Sequence, residues 1–282
     1  MKSILTSKIP QIASCLGALI LIFSLFTPAW AQEEAVKLPP KEKFHLYMLA
    51  GQSNMAGRGI VESQDIVPHP RVLMLNQDGK WVPAVDPIHY DKSAAGVGPG
   101  RTFGISLAES DKDIVIGLIP TSCGGSGIRT WSPGAHHDQT KSNPYDDAIA
   151  RTHLALNDGS LKGILWHQGA ADTGESSSKK YKERLGALIN RFRAEFGDTR
   201  LPFIIGQQGV HKELPLNPGR QLVDNSGEQL AKELDFVGFV LSDGLTFNSD
   251  NVHFDAASQR EFGRRYAKVY LEVIQKVSTA TQ

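Results

Sequence analysis

The chain has 282 residues, with 30 basic and 30 acidic side chains, 40% hydrophobic and 8% aromatic residues, the balance of an ordinary globular protein. Zero formal net charge supplies no basic field for a phosphate backbone, which argues against nucleic acid as a partner, and no charged tail that would stay disordered. The 27 Gly and 15 Pro are spread along the chain without a repeat, so collagen-like and solenoid architectures are excluded as well.

The first segment reads as a leader. Lys2 and Lys8 precede an apolar stretch over 12–26, Pro28 follows, and Ala29-Trp30-Ala31 has the small-x-small pattern that signal peptidase reads. Residues 1–31 are therefore expected to be a signal peptide cut after Ala31. The mature protein would then be secreted or periplasmic, with no stable membrane partner. An uncleaved anchor is the competing reading, because the apolar run approaches the length of a membrane span. Cleavage removes Cys15 and leaves Cys123 as the remaining cysteine, so no intramolecular disulfide is expected and the fold must stand on its core. Cys123 itself reads as a small buried residue at a strand end.

Residues 32–43 carry charges and Pro39-Pro40 without apolar periodicity and read as a linker, leaving 44–282 as one domain. Short runs over 44–50, 114–119, 163–166, 202–205 and 236–241 are rich in Val, Ile, Leu and Phe and apolar on both faces, as buried parallel strands are. Helical spacing lies between them. Tyr181, Leu185, Leu188, Ile189, Phe192 and Phe196 mark one helix stopped by Gly197, and Phe262, Tyr266, Val269 and Val273 mark a last one capped by Asp255. Less distinct helices fill 102–109, 145–156 and 220–234. Five strands alternating with helices predict a doubly wound α/β/α fold on a five-stranded parallel sheet. Ligands in such sheets bind beyond the carboxyl ends of the strands, so chemistry is to be sought in the loops after residues 50, 119, 166 and 241.

The first of these loops is Gly51-Gln52-Ser53-Asn54-Met55-Ala56-Gly57-Arg58-Gly59. A serine at a strand end between glycines can expose its hydroxyl and aim its own amide at a substrate oxygen, or it can cap the next helix. The second holds Gly124-Gly125-Ser126-Gly127, where paired glycines can bring amides up to an oxyanion; Ser126 fails the nucleophile-elbow spacing because Ile128 stands where its second glycine belongs. In the third, Gln168 can donate its side-chain amide to the same place. In the last, Asp250 stands three residues before His253, close enough to fix the tautomer that leaves the other ring nitrogen as a base. His136-His137-Asp138 reads as a solvated loop and not as a metal site, since adjacent loop histidines do not share a face. With no phosphate loop either, no cofactor and no metal is expected.

Together, Gly51-Gln52-Ser53-Asn54-Met55, Gly98-Pro99-Gly100, Gly124-Gly125-Ser126, the Trp-His-Gln-Gly of 166–169 and Asp250-Asn251-Val252-His253-Phe254 resemble the sialate O-acetylesterase-like branch of the SGNH hydrolases, to which carbohydrate esterase family 6 and its acetyl xylan esterases belong. The resemblance spans nearly the whole mature chain. It implies a flavodoxin-like three-layer fold and a serine esterase that removes acetyl groups from carbohydrates, with acetylated xylan or sialic acid as the type of substrate. Carried over, it makes Ser53 the nucleophile, His253 the general base and Asp250 its orienting acid. The amides of Ser53, Gly124 and Gly125 with the Gln168 side chain would form the oxyanion hole. This chain departs from the family at Ala170, where the family usually has Glu, assigned in some members as the triad acid. Gln52, Asn54, Arg58 and Trp131 are candidate substrate contacts, Trp131 and Tyr90 being read as exposed aromatics suited to a sugar ring. Two competing functions remain: a carbohydrate-binding homologue without chemistry, suggested by Ala170, and an aryl or lipid esterase, which would need an apolar groove beside Ser53.

Overall fold

Alternation along the first strand already separates two cores. In β1 (Phe44–Gly51), Tyr47 and Leu49 enter one hydrophobic cluster while Met48 and Ala50 enter another, as the two-residue period of a strand requires. The computed structural model describes residues 36–209 and 217–280. The expected leader over 1–31 lies outside the described residues.

After β1 come α1 (Ser53–Ala56), β2 (Val72–Leu75), β3 (Trp81–Pro83), α2 (Pro99–Ser110), β4 (Val115–Pro120), α3 (Pro144–Ala155) and β5 (Ser160–His167). The chain continues through α4 (Glu175–Ser178), α5 (Tyr181–Glu195), β6 (Phe203–Gly206), α6 (Pro218–Glu233), β7 (Val237–Val240) and α7 (Ala256–Ala280). The sheet has seven strands in the order β3-β2-β4-β1-β5-β6-β7. All pairings are parallel except β2 with β3. On one face Phe103 and Leu107 of α2 join Phe262, Tyr266 and Tyr270 of α7; on the other, Tyr145 of α3 joins Leu185, Leu188 and Phe192 of α5 and Leu230 of α6. These are three layers, α/β/α.

The five-stranded parallel sheet expected from sequence is thus corrected to a mixed sheet of seven. The two added strands form one edge hairpin, Leu73 opposite Pro83 and Leu75 opposite Trp81. Trp81–Pro83 is too short to register as an apolar run, and its Pro83 stands where a ladder donor is dispensable. Its turn is closed by Asn76, whose amide donates to Lys80 O (2.9 Å) while its side-chain oxygen accepts the Lys80 amide (2.8 Å). Within the expected linker, Val36 and Leu38 pack against the cluster of Phe44, Leu46, Leu75 and Trp81 beneath this edge.

The predicted helices appear with small shifts. Pro144 and Pro218 begin α3 and α6, where the missing N–H has no helical partner to lose. Asp255 does cap α7, its Oδ1 accepting the Ser258 amide at 2.8 Å. Among the described residues no helix is long and apolar enough to cross a membrane.

Candidate active site

The site begins where β1 ends. Gly51 sits at φ +132°, and a Cβ there would lie 2.2 Å from His167 O on the neighbouring strand, so only glycine permits the turn. The Gln52 amide then donates to His167 O (2.9 Å), and Ser53 opens α1. Ser53 is 7% exposed. Its amide is in the first helical turn, where no intrahelical acceptor exists, and among the described residues it has no protein acceptor.

Across the sheet edge, the loop after β7 brings a histidine to this serine. His253 Nε2 is 2.8 Å from Ser53 Oγ, and Nδ1 is 2.6 Å from Asp250 Oδ2. Asp250 is itself fixed, because its Oδ1 accepts the amides of Val252 and His253, both at 2.9 Å. Burial opposes its ionisation, yet these amides and the imidazole outweigh burial and hold the carboxyl below its ordinary range. A carboxylate facing Nδ1 makes that nitrogen the donor. Nε2 is then free to accept the serine proton.

The expected oxyanion donors divide. The Gly124 amide is already given to Asp91 Oδ2 (2.8 Å), and Gln168 Nε2 donates to Asp172 Oδ2 (2.7 Å) and Ser126 O (3.0 Å). Gln168 therefore braces the floor of the site. The Ser53 and Gly125 amides are the two expected donors without a protein acceptor among the described residues.

The four expected substrate contacts each have polar atoms engaged in holding loops together. Gln52 Oε1 accepts the Gly169 amide (3.2 Å) and the Gln168 side chain (3.3 Å). Asn54 donates to Val252 O (3.2 Å) and accepts the Phe254 amide (3.1 Å), fastening the serine turn to the histidine loop. Arg58 is buried against Asp91 at 2.9 Å. Trp131, read from sequence as exposed, is 1% exposed; it stands edge-on to Trp166 with centroids 5.0 Å apart and donates to Ser126 Oγ (3.0 Å). That bond and full burial also retire Ser126 as a rival nucleophile.

Three bracing residues escaped the sequence reading. Asp91 ties Arg58 to Gly124; Asp172 accepts from Ile128 N (2.7 Å) as well as Gln168; and His137, expected in a solvated loop, is buried with Nε2 donating to Gly124 O (3.3 Å). Cys123 is free and buried, and burial raises its thiol. Among the described residues no cluster of His, Cys, Asp and Glu could hold a metal ion.

Residues 43–272 match the family described as carbohydrate esterase, sialic acid-specific acetylesterase. The chain belongs to that family. A probable carbohydrate esterase of Arabidopsis thaliana is 30% identical over 257 residues, 83% of this chain and 92% of that protein. An X-ray structure of an Arabidopsis thaliana protein superposes with a TM-score of 0.72 at 28% identity, covering 83% of this chain and 99% of its own. NanS (TM-score 0.67, 16% identity, 85% of this chain and 100% of that one) and a carbohydrate acetylesterase from Xanthomonas citri (0.63, 22%, 81% and 56%) share the fold. The esterase is thus a carboxylic ester hydrolase.

Proposed function

We propose that this carbohydrate esterase is an exported O-acetylesterase that works through an acetyl-enzyme on Ser53. The observation that carries this reading is the unbroken chain from Ser53 Oγ to His253 Nε2 (2.8 Å) and from His253 Nδ1 to Asp250 Oδ2 (2.6 Å), joining loops 200 residues apart. Ser53 Oγ attacks the acetyl carbonyl carbon as its proton passes to His253 Nε2. The oxyanion that forms is stabilised by the Ser53 and Gly125 amides. As it collapses, the bond to the sugar oxygen breaks and the imidazolium returns its proton to that oxygen, freeing a sugar hydroxyl. Water then adds to the acetyl-enzyme with His253 as base, and acetate leaves. Throughout, the Asp250 carboxylate keeps Nδ1 protonated and offsets the imidazolium charge.

Export rests on Lys2, the apolar run and Ala29-Trp30-Ala31. Protein from the native host should begin at Gln32; finding Met1 on secreted or periplasmic protein would defeat that part. For the chemistry, acetate release from acetylated xylan and acetylated sialic acid fragments should be abolished by Ser53→Ala. Intact mass measured early in turnover should show one acetyl group, on a peptide containing Ser53. An unreduced rate in the mutant would overturn the mechanism.

A further inference from the structure

Beside the Gly124-Gly125 turn the surface opens into a cleft of about 280 Å³ that the proposed reaction leaves unused. Tyr90, Thr140 and Ser142 line it from loops, Gln77 from the hairpin turn, and Asp147 and Arg151 from α3. Asp91 and Cys123 belong to both places. They line the cleft, while Asp91 accepts the Gly124 amide and Cys123 donates its own amide to Gly51 O at 2.9 Å. Gly51 is two residues from Ser53, a chain distance of about 7 Å at full extension. We propose that this cleft is a subsite for a neutral sugar unit, neighbouring the unit whose acetyl ester is presented to Ser53; the proposal rests on the esterase reading above.

Size, chemistry and charge lead there separately. About 280 Å³ is at the lower end for small-molecule sites, room for one ring and not for a long chain. Tyr90 is 38% exposed, and the Arg151 guanidinium, 5.1 Å from its ring centroid, backs it on one side. An aromatic surface held in this way suits the apolar face of a sugar. Gln77, Thr140, Ser142 and Asp147 add a mixture of donors and acceptors for hydroxyl groups.

Charge decides between neutral and anionic sugars. Arg151 gives Nε to Pro120 O (3.1 Å) and Nη2 to Leu75 O (2.8 Å) and Asn76 O (3.0 Å), so most of its fork serves the main chain. Burial lowers His89 to about 4 and keeps it neutral, and Asp91 is already paired with Arg58. A sugar carboxylate would therefore enter beside Asp147, with Arg151 the cation among the described lining residues and only its Nη1 free of main-chain bonds. Sugar hydroxyls, by contrast, can donate to Asp147.

Calorimetric binding to full-length Ser53→Ala protein tests this without turnover, with xylohexaose as the neutral probe and trimeric sialic acid as the anionic one. Xylohexaose should bind, and adding Tyr90→Ala or Asp147→Asn should each weaken it about tenfold, roughly one lost sugar contact, with the Asp147→Asn protein still melting in one cooperative transition. The sialic acid trimer should bind at least about tenfold more weakly. Equal xylohexaose affinity in both added variants, no binding of either glycan, or preference for the anionic one would overturn the subsite. Wild-type hydrolysis of para-nitrophenyl acetate is the separate control. Its absence would bring down the esterase mechanism, while the binding arm still reports on the cleft.

Discussion

Ser53 and Ser126 stand on neighbouring loops at one sheet edge, but their hydroxyls face different surroundings. Ser53 Oγ meets an imidazole, whereas Ser126 Oγ accepts the indole N–H of Trp131 at 3.0 Å inside the core. In the proposed mechanism Ser53→Ala removes the covalent route and should lower kcat by several orders of magnitude. Ser126→Ala instead orphans a buried donor, and should cost about 1–3 kcal/mol of stability while leaving most of the turnover. Thermal melts and acetate-release rates on both variants separate the two roles, and equal kinetic losses would leave the assignment to Ser53 unsupported. Ala170 poses the second question at this scale, because the related Glu is absent while Asp250 is intact and hydrogen-bonded to His253 at 2.6 Å. If Asp250 orients the ring, Asp250→Asn should lower kcat by up to about four orders of magnitude, the loss that the wrong tautomer produces in serine triads. Ala170→Glu should then change the rate only modestly. An inert wild type awakened by Ala170→Glu would transfer the role of acid to that position.

Among the elements, α2 and α7, the helices that cover one face of the sheet, approach each other closely. A Cβ on Gly263 would come within 2.4 Å of Pro99 O and 2.9 Å of Thr102 Cβ, so the N-terminus of α2 rests directly on the α7 backbone. This contact matters to the site, since α2 follows the strand-like bridge of Val97 to Gly59 and α7 follows the His253 loop. Alanine has the better helix propensity by about 1 kcal/mol, but here overpacking should outweigh it, at about 1–3 kcal/mol. Gly263→Ala is therefore expected to destabilise the protein in urea titrations. A stabilised variant would show that the helices can part without strain.

At the scale of the molecule, a partly buried ionic network joins the 62–86 segment to those same helices. Arg260 of α7 grips both oxygens of Asp65 at 2.9 Å and Glu62 at 2.9 Å. Asp86, behind it, is pushed up to about 7, by burial first, with Arg101 opposing and Asp65 adding to the rise. A folded value above the unfolded one means that the native state holds an extra proton between about 4 and 7. This group's contribution is therefore most favourable below its unfolded value and declines as pH rises to about 7. Asp86→Asn should remove that slope, gaining on wild type by up to about 1.4 kcal/mol per pH unit across the window. Parallel stability curves from pH 4 to 8 for the two proteins would refute the assignment.

The sequence by itself determined what depends on near neighbours. Asp250 and His253 are three residues apart, and the i, i+3 spacing brings them together in one turn; the face of α5 from Tyr181 to Phe192 was legible because a helix repeats within its own length. The long strands were legible too, as apolar runs. The edge hairpin was not, because Val72–Leu75 and Trp81–Pro83 become strands by pairing with each other and with β4. The meeting of Ser53 with His253 required the strand order, which places the ends of β1 and β7 on one edge. Hardest to read was which polar atoms remain free. Gln168, Gly124, Asn54 and Arg58 look like ligand-binding groups in the sequence, and Trp131 looks like a sugar platform, until Asp172, Asp91, Val252 and Ser126 take up their donors. A residue's type fixes how many hydrogen bonds it can make. Only the assembled fold decides whether distant parts of the chain have already used them, because a buried donor must find a partner wherever packing supplies one.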